Sequence, residues 1–337
     1  MIERIRGTAI WRAVEDLPAT LAATAARSTG LDAAAAVLAD AERILVTGNG
    51  ASYYAGVATW LASLETNENV QSVPSGLLRR LAHRPGDAVL AVSVSGEFRD
   101  LVEALEEDVL PRPLVAVTAA TGSTLARHAD ALAELAVNDH GTETHPQDFC
   151  NAMAACLAIL ARLTGDRELR ALVESAPELV TATLGGVEQW LEREATSLDP
   201  PSAAAAAGHG PAWAGALELA LLLKEVARIP AEGLETREAA TSALTGLHPG
   251  CLVVALASRG DPFLVEAERL WAASGASVLR IPFGAEIDPR VVSLASFPAC
   301  AALAVALAQA TGLDPDHPWW VETYLATARV DHEPSSP

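Results

Sequence analysis

Apolar and polar positions along this chain follow two rhythms. Apolar side chains recur at three- and four-residue spacing over Trp11–Ala25 and Ala33–Leu38, which predicts helices before residue 41. Short apolar runs then alternate with helical patterns. Arg43–Thr47, Ala88–Val92 and Leu114–Thr118 read as strands, and Tyr53–Leu64 and Arg99–Glu107 as helices. Helical segments at Asn151–Leu163 and Ala176–Leu191 lead to a break at Asp199-Pro200-Pro201-Ser202. Beyond it, Gly250–Leu256 and Ser277–Ile281 are strand-like. The alanine run Ala203–Ala207 is a poor strand by propensity, but its place before a glycine turn predicts one. Strands alternating with helices imply a parallel sheet covered on both faces.

The steps repeat. Gly48-Asn49-Gly50-Ala51-Ser52 and Gly208-His209-Gly210-Pro211-Ala212 lie about 160 residues apart, each between a strand and a helix. Ser93-Val94-Ser95-Gly96-Glu97 is matched at a similar offset by Ala257-Ser258-Arg259-Gly260-Asp261. Such corners aim backbone N–H groups and a helix N-terminus at an anion. Two of them indicate a duplicated α/β unit that binds something phosphorylated. The rival reading, a dinucleotide fingerprint, needs a third glycine where Tyr53 stands, so a nicotinamide enzyme is set aside. Around Ser93–Glu97 the hydroxyls of Ser93 and Ser95, with Ser52, Ser123 and Thr124, would hold a phosphate without a cationic cluster. Ser and Gly also simply make turns, but three such loops on one sheet edge favour binding.

Composition narrows the partners. The 337 residues have room for two domains, and a core with only 4% aromatics must be largely Ala, Leu and Val. A formal charge of −20 argues against nucleic acid and anionic membrane, since both require clustered Lys and Arg. Met1–Arg6 lacks the apolar core of a signal peptide, and the longest apolar run, Cys300–Ala308, is too short for a bilayer. A cytoplasmic protein is expected. Cys150, Cys156, Cys251 and Cys300 form no CxxC pair, so neither metal nor disulfide is expected. The one lysine, Lys224, stands beside Glu225.

These motifs resemble the sugar isomerase (SIS) domain. The resemblance rests on Gly50-Ala51-Ser52-Tyr53, Ser93–Glu97, Gly141-Thr142-Glu143 and Ala216–Glu225 followed by Ala231-Glu232. It covers about residues 5–330 and looks like the isomerase half of glucosamine-6-phosphate synthase and related deaminases and deglycases. It implies two tandem three-layer αβα, flavodoxin-like domains: a helical segment at 1–41, one domain at 42–198 and a second at 199–337. It also implies a sugar-phosphate ligand, a homodimer with sites near the subunit interface, and no cofactor. Gly50, Ser52, Ser93, Val94, Ser95, Gly96 and Phe98 would then line the phosphate cradle, with Glu143, Arg237 and Thr241 nearby. Glu225 would move a proton between C1 and C2 through an enediolate, a task for a carboxylate in a partly apolar pocket.

The sequence departs from that family at several positions. Leu222 stands where the amino-sugar isomerases carry a lysine, Thr241 where they carry a ring-opening histidine, and Thr327 or a neighbour where they carry a C-terminal lysine. Val94 is usually polar and Phe98 usually a hydroxyl. Arg237 or Arg99 could supply the missing charge, and His248, His140 or His145 the missing histidine. The acids Glu232, Glu235 and Glu238 around Arg237 suggest an aminated substrate. The expected function is isomerisation, deamination or deglycation of a sugar phosphate; the alternative is a phosphosugar sensor without turnover.

Overall fold

The structure, a computed structural model, describes residues 2–195 and 198–331. The strands are β1 (Arg43–Gly48), β2 (Val70–Pro74), β3 (Asp87–Val92), β4 (Leu114–Thr118), β5 (Ala131–Glu134), β6 (Ala203–Gly208), β7 (Ala231–Glu235), β8 (Cys251–Leu256) and β9 (Ser277–Ile281). They form two parallel sheets, ordered β2-β1-β3-β4-β5 and β7-β6-β8-β9, here called the N sheet and the C sheet. The protein is therefore α/β.

The chain divides into two compact units, and neither is continuous in sequence. The N-sheet unit comprises 19–138, 147–174 and the tail from Trp319; the C-sheet unit comprises the chain up to Pro18, 139–146 and 175–318. The first two helices, Ile2–Arg6 and Ala9–Glu15, and the Ala176–Glu194 helix thus belong with the C sheet, while Ser28–Leu38 belongs with the N sheet. Helices pack where their apolar faces are covered, and the Ala9–Glu15 and Ala176–Glu194 helices both lie against Val292–Ala310.

In the N-sheet unit, β3 and β4 are buried at every position, as strands covered on both faces must be. Leu45, Val89 and Leu114 face Leu101, Leu105 and Leu125 on one side. Ile44, Val46 and Leu90 face Cys156, Ile159 and Leu160 of the Gln147–Thr164 helix on the other. Asp87, at the amino end of β3, is buried and takes Arg43 Nε at 2.9 Å and the Arg84 amide at 2.7 Å.

In the C-sheet unit the alanine run does become β6, central between β7 and β8. Its small side chains suit close helix packing. A Cβ on Gly233 of β7 would meet Leu217 Cα at 2.4 Å, so the Ala212–Glu225 helix rests almost on the sheet. On the far face Ala205, Val253 and Ala255 meet Trp271, Leu264 and Ala267.

One sequence expectation is corrected here. Counting consecutive apolar residues stops at Cys300–Ala308, but Pro289–Ala310 is helical over 22 residues with mean hydropathy 2.2. By length and composition that helix could cross a membrane; it is wholly buried as a core helix. Ser293, Ser296 and Pro298 interrupt the run in sequence without interrupting the helix.

Candidate functional site

The carboxyl ends of β1, β3 and β4 make one rim of the N-sheet unit, the place where open parallel sheets bind ligands. At β1 the chain turns through Gly50, whose φ of 50° lies in the left-handed region, into the Ala51–Ser63 helix. Gly48 has no room for a side chain, because a Cβ would sit 2.8 Å from Ser52. Ser52 is half-buried in the first helical turn, and its hydroxyl makes no hydrogen bond among the described residues.

At β3, Ser93 is buried and its Oγ accepts from the Gly96 amide at 3.1 Å. Ser95 Oγ accepts from the Glu97 amide at 3.3 Å. Each hydroxyl thus shapes the turn as an acceptor and keeps its own hydrogen to donate. The N–H groups of Val94 and Ser95 make no hydrogen bond among the described residues. Gly96, at φ 66°, is pressed against Ser123: a Cβ there would meet Ser123 Oγ at 2.0 Å. The loops after β3 and β4 are therefore fitted to each other. Ser123 Oγ caps the Thr124–His128 turn by accepting from Ala126 N.

The charged residues at this rim are already engaged. Glu97 Oε1 accepts from the Thr124 amide at 2.6 Å. Arg99 donates to the carbonyls of Ala326, Thr327 and Arg329, closing the end of the Val321–Ala328 helix. Its role is to hold the C-terminal segment, which also pairs Val330 N with Glu97 O and Arg329 with Phe98 as an isolated bridge. Phe98 precedes the Arg99–Glu106 helix as an N-cap without a side-chain hydrogen bond. The rim can therefore offer neutral hydroxyls and amides to an anion.

The remaining candidates belong to the C-sheet unit. Glu143 is exposed in the 139–146 loop. Lys224, exposed, and Glu225, half-buried, end the Ala212–Glu225 helix, which returns from the carboxyl end of β6 toward the start of β7. They therefore lie at the amino edge of the C sheet. His248 is exposed just before β8 at the same edge, its Nδ1 accepting from Gly250 N at 3.1 Å. Arg237 and Thr241 are at the opposite edge, following β7, and Thr241 Oγ1 donates to Arg237 O. A strand of five residues separates these edges by about 15 Å. Within the unit, Glu225 and His248 share one edge and Arg237 and Thr241 the other. Of the alternative histidines, His140 Nε2 lies 3.1 Å from Asp16 Oδ2, and His145 is an exposed residue at φ 46°.

The sequence reading passed over His209. Its Nδ1 lies 2.8 Å from Glu235 Oε1, at the carboxyl ends of β6 and β7. The signal was present: a titratable ring between two corner glycines, where the first corner carries Asn49. Among the described residues no group of three or more His, Cys, Asp and Glu is placed to hold a metal ion.

The family profile of the SIS domain matches residues 37–163, which span the N sheet and most of its helices. The chain is 28% identical over 318 residues to the isomerizing glutamine–fructose-6-phosphate aminotransferase of Aeropyrum pernix, covering 85% of this chain and 51% of that protein. The chain thus spans about half the length, or less, of the curated relatives it matches. Among solved structures, the C-terminal domain of the Francisella tularensis glucosamine-fructose-6-phosphate aminotransferase superposes with TM-score 0.80 at 18% identity, covering 93% of this chain and 98% of that one. The Escherichia coli tagatose-6-phosphate ketose/aldose isomerase superposes with TM-score 0.70 at 20% identity, covering 94% and 98%. At those identities the superpositions establish the fold. Residues 37–163 thus match the SIS domain, and the chain is homologous to the isomerizing aminotransferases over the region they share.

Proposed function

We propose that this protein binds a sugar phosphate and catalyses its isomerisation, deamination or deglycation through an enediolate-type proton transfer. The observation that carries the reading is the N-sheet rim, where Ser52, Ser93 and Ser95 hydroxyls and the Val94 and Ser95 amides have hydrogens to donate. Neutral donors converging at a sheet's carboxyl edge suit a phosphate dianion. In a chain of net charge −20 they also avoid pairing with neighbouring acids. The aminotransferases and ketose/aldose isomerase named above act, by their names, on hexose 6-phosphates.

In this reading the C sheet belongs to a second SIS domain, the tandem running in sequence over 42–198 and 199–337 after a helical segment at 1–41. Glu225 is the base, with Lys224 beside it, and the protein works in the cytoplasm as a homodimer. Gly50 and Gly96 let the backbone approach the phosphate, Phe98 borders it, and Glu143, Arg237 and Thr241 are further substrate residues of this reading. Leu222 and Thr241 supply neither the cation nor the imidazole of the amino-sugar isomerases, so ring opening falls to another group, with His248 the candidate.

The test is a thermal-shift panel of fructose 6-phosphate, glucosamine 6-phosphate, tagatose 6-phosphate and the unphosphorylated sugars. A ligand at about 100 times its Kd adds ~2.7 kcal/mol to the native state, several degrees in Tm. The phosphates should shift Tm and the free sugars should not. Equal shifts, or none, contradict the reading. Solvent deuterium entering C2 in the wild type but not in Glu225→Gln assigns the base; binding without any exchange would leave a sensor.

A further inference from the structure

The carboxyl edge of the C sheet carries a second constellation, built from the ends of three strands. Glu235, last residue of β7, has one carboxylate oxygen against His209 Nδ1 and the other accepting the Arg237 amide at 2.7 Å. The imidazole and Arg237 share one aromatic support. The His209 ring stands edge-on to Phe263, 6.1 Å between centroids, and Arg237 Cζ lies 5.2 Å from the Phe263 centroid. Phe263 is itself fixed, its amide donating to Asp261 Oδ1 while Asp261 Oδ2 accepts from Thr236 Oγ1. Ser258, in the same turn after β8, is 7% exposed, and its buried hydroxyl has no partner.

The simplest alternative is a staple that merely ties three loops together. A staple would use Arg237 to neutralise the acids around it. Instead both carboxylates are occupied by other donors, and the Arg237 guanidinium pairs with no carboxylate among the described residues. It lies over a ring, exposed, with its fork of N–H groups uncommitted. Arginine held on an aromatic face and unpaired is suited to bidentate binding of an oxyanion. With Glu235 accepting from Nδ1–H, the other ring nitrogen of His209 faces away from the carboxylate and donates as well in the doubly protonated ring, the form an anion favours. A guanidinium fork and an imidazole N–H offer three donors, which matches the three peripheral oxygens of a phosphoryl group better than the two of a carboxylate.

We propose that this edge is a second anion site, built from no residue of the N-sheet rim, which takes phosphate or a phosphate monoester on Arg237 and His209 with Glu235 as the positioning residue. The proposal does not depend on the reading of the N-sheet rim. The test follows the imidazole proton resonance of His209, assigned by its loss in His209→Gln, during titration with inorganic phosphate at constant ionic strength. A saturable shift is expected in the wild type. It should weaken about tenfold or more in Arg237→Gln, the scale of a lost charge-assisted hydrogen bond, and less in Arg237→Lys. Acetate should bind more weakly than phosphate. The Ser95→Ala variant should leave the His209 response unchanged, so failure at the N-sheet rim is read separately. An unmoved resonance, or equal titration curves in wild type and Arg237→Gln, overturns the proposal.

Discussion

Single atoms decide how the N-sheet rim is built. Gly96 combines a left-handed φ with contact against Ser123, so Gly96→Ala meets both backbone strain and overpacking. A loss of about 2–4 kcal/mol in urea unfolding is expected, with loss of sugar-phosphate binding. The turn motif was legible as a string of small polar residues; the pressure from Ser123 was not, since it joins loops 27 residues apart. The Arg43–Asp87 pair makes a second prediction. The hydrogen bond from Arg43, against the cost of burial, holds the Asp87 carboxyl below the usual range. A depressed carboxylate stabilises the fold above its unfolded pKa, and that contribution is lost as pH falls through the lower folded value. Asp87→Asn should therefore cost about 3 kcal/mol near neutrality, with the difference from wild type shrinking only below about pH 4. A difference that shrinks already between pH 8 and 6 would contradict this account.

At the scale of elements, central strands were readable and, apart from β9, edge strands were not. β1, β3, β4 and β8 are apolar runs because both faces are covered. β2, β5 and β7 lie at sheet edges and mix Gln71, Ser72, Glu134, Glu232 and Glu235 into short segments, so no run announces them. β6 was recognisable only by position, its alanines chosen by the helix lying on it. The C-terminal helix is held differently, through backbone carbonyls taken by Arg99. Arg99→Ala should raise hydrogen exchange over Val321–Val330 by about tenfold or more, given ~1.5–3 kcal/mol for hydrogen bonds from a charged donor. Unchanged exchange there would show that the segment is anchored by other contacts.

On the scale of the whole molecule, repetition at one offset indicated two sheets, and two sheets are present. The way helices from distant stretches are shared between units was not legible, because it depends on which apolar faces meet and not on their spacing. The split of Glu225 and His248 from Arg237 and Thr241 was hidden for the same reason: strand direction decides the edge at which each loop emerges. Burial makes another global prediction. All four cysteines are buried, and desolvation pushes the Cys156 thiol up to about 12 and Cys300 higher still. None should react with a thiol reagent in the folded protein at pH 8, and all four should react after denaturation.

The central claim is that the N-sheet rim seats the phosphate of a sugar ester through neutral donors. Calorimetric titration of the wild type and Ser93→Ala/Ser95→Ala with fructose 6-phosphate and with fructose tests it most directly. The account predicts binding of the ester alone, weakened at least about tenfold in the double variant by two lost hydrogen bonds to a charged group. Equal affinity for ester and free sugar, or undiminished binding in the variant, would contradict it.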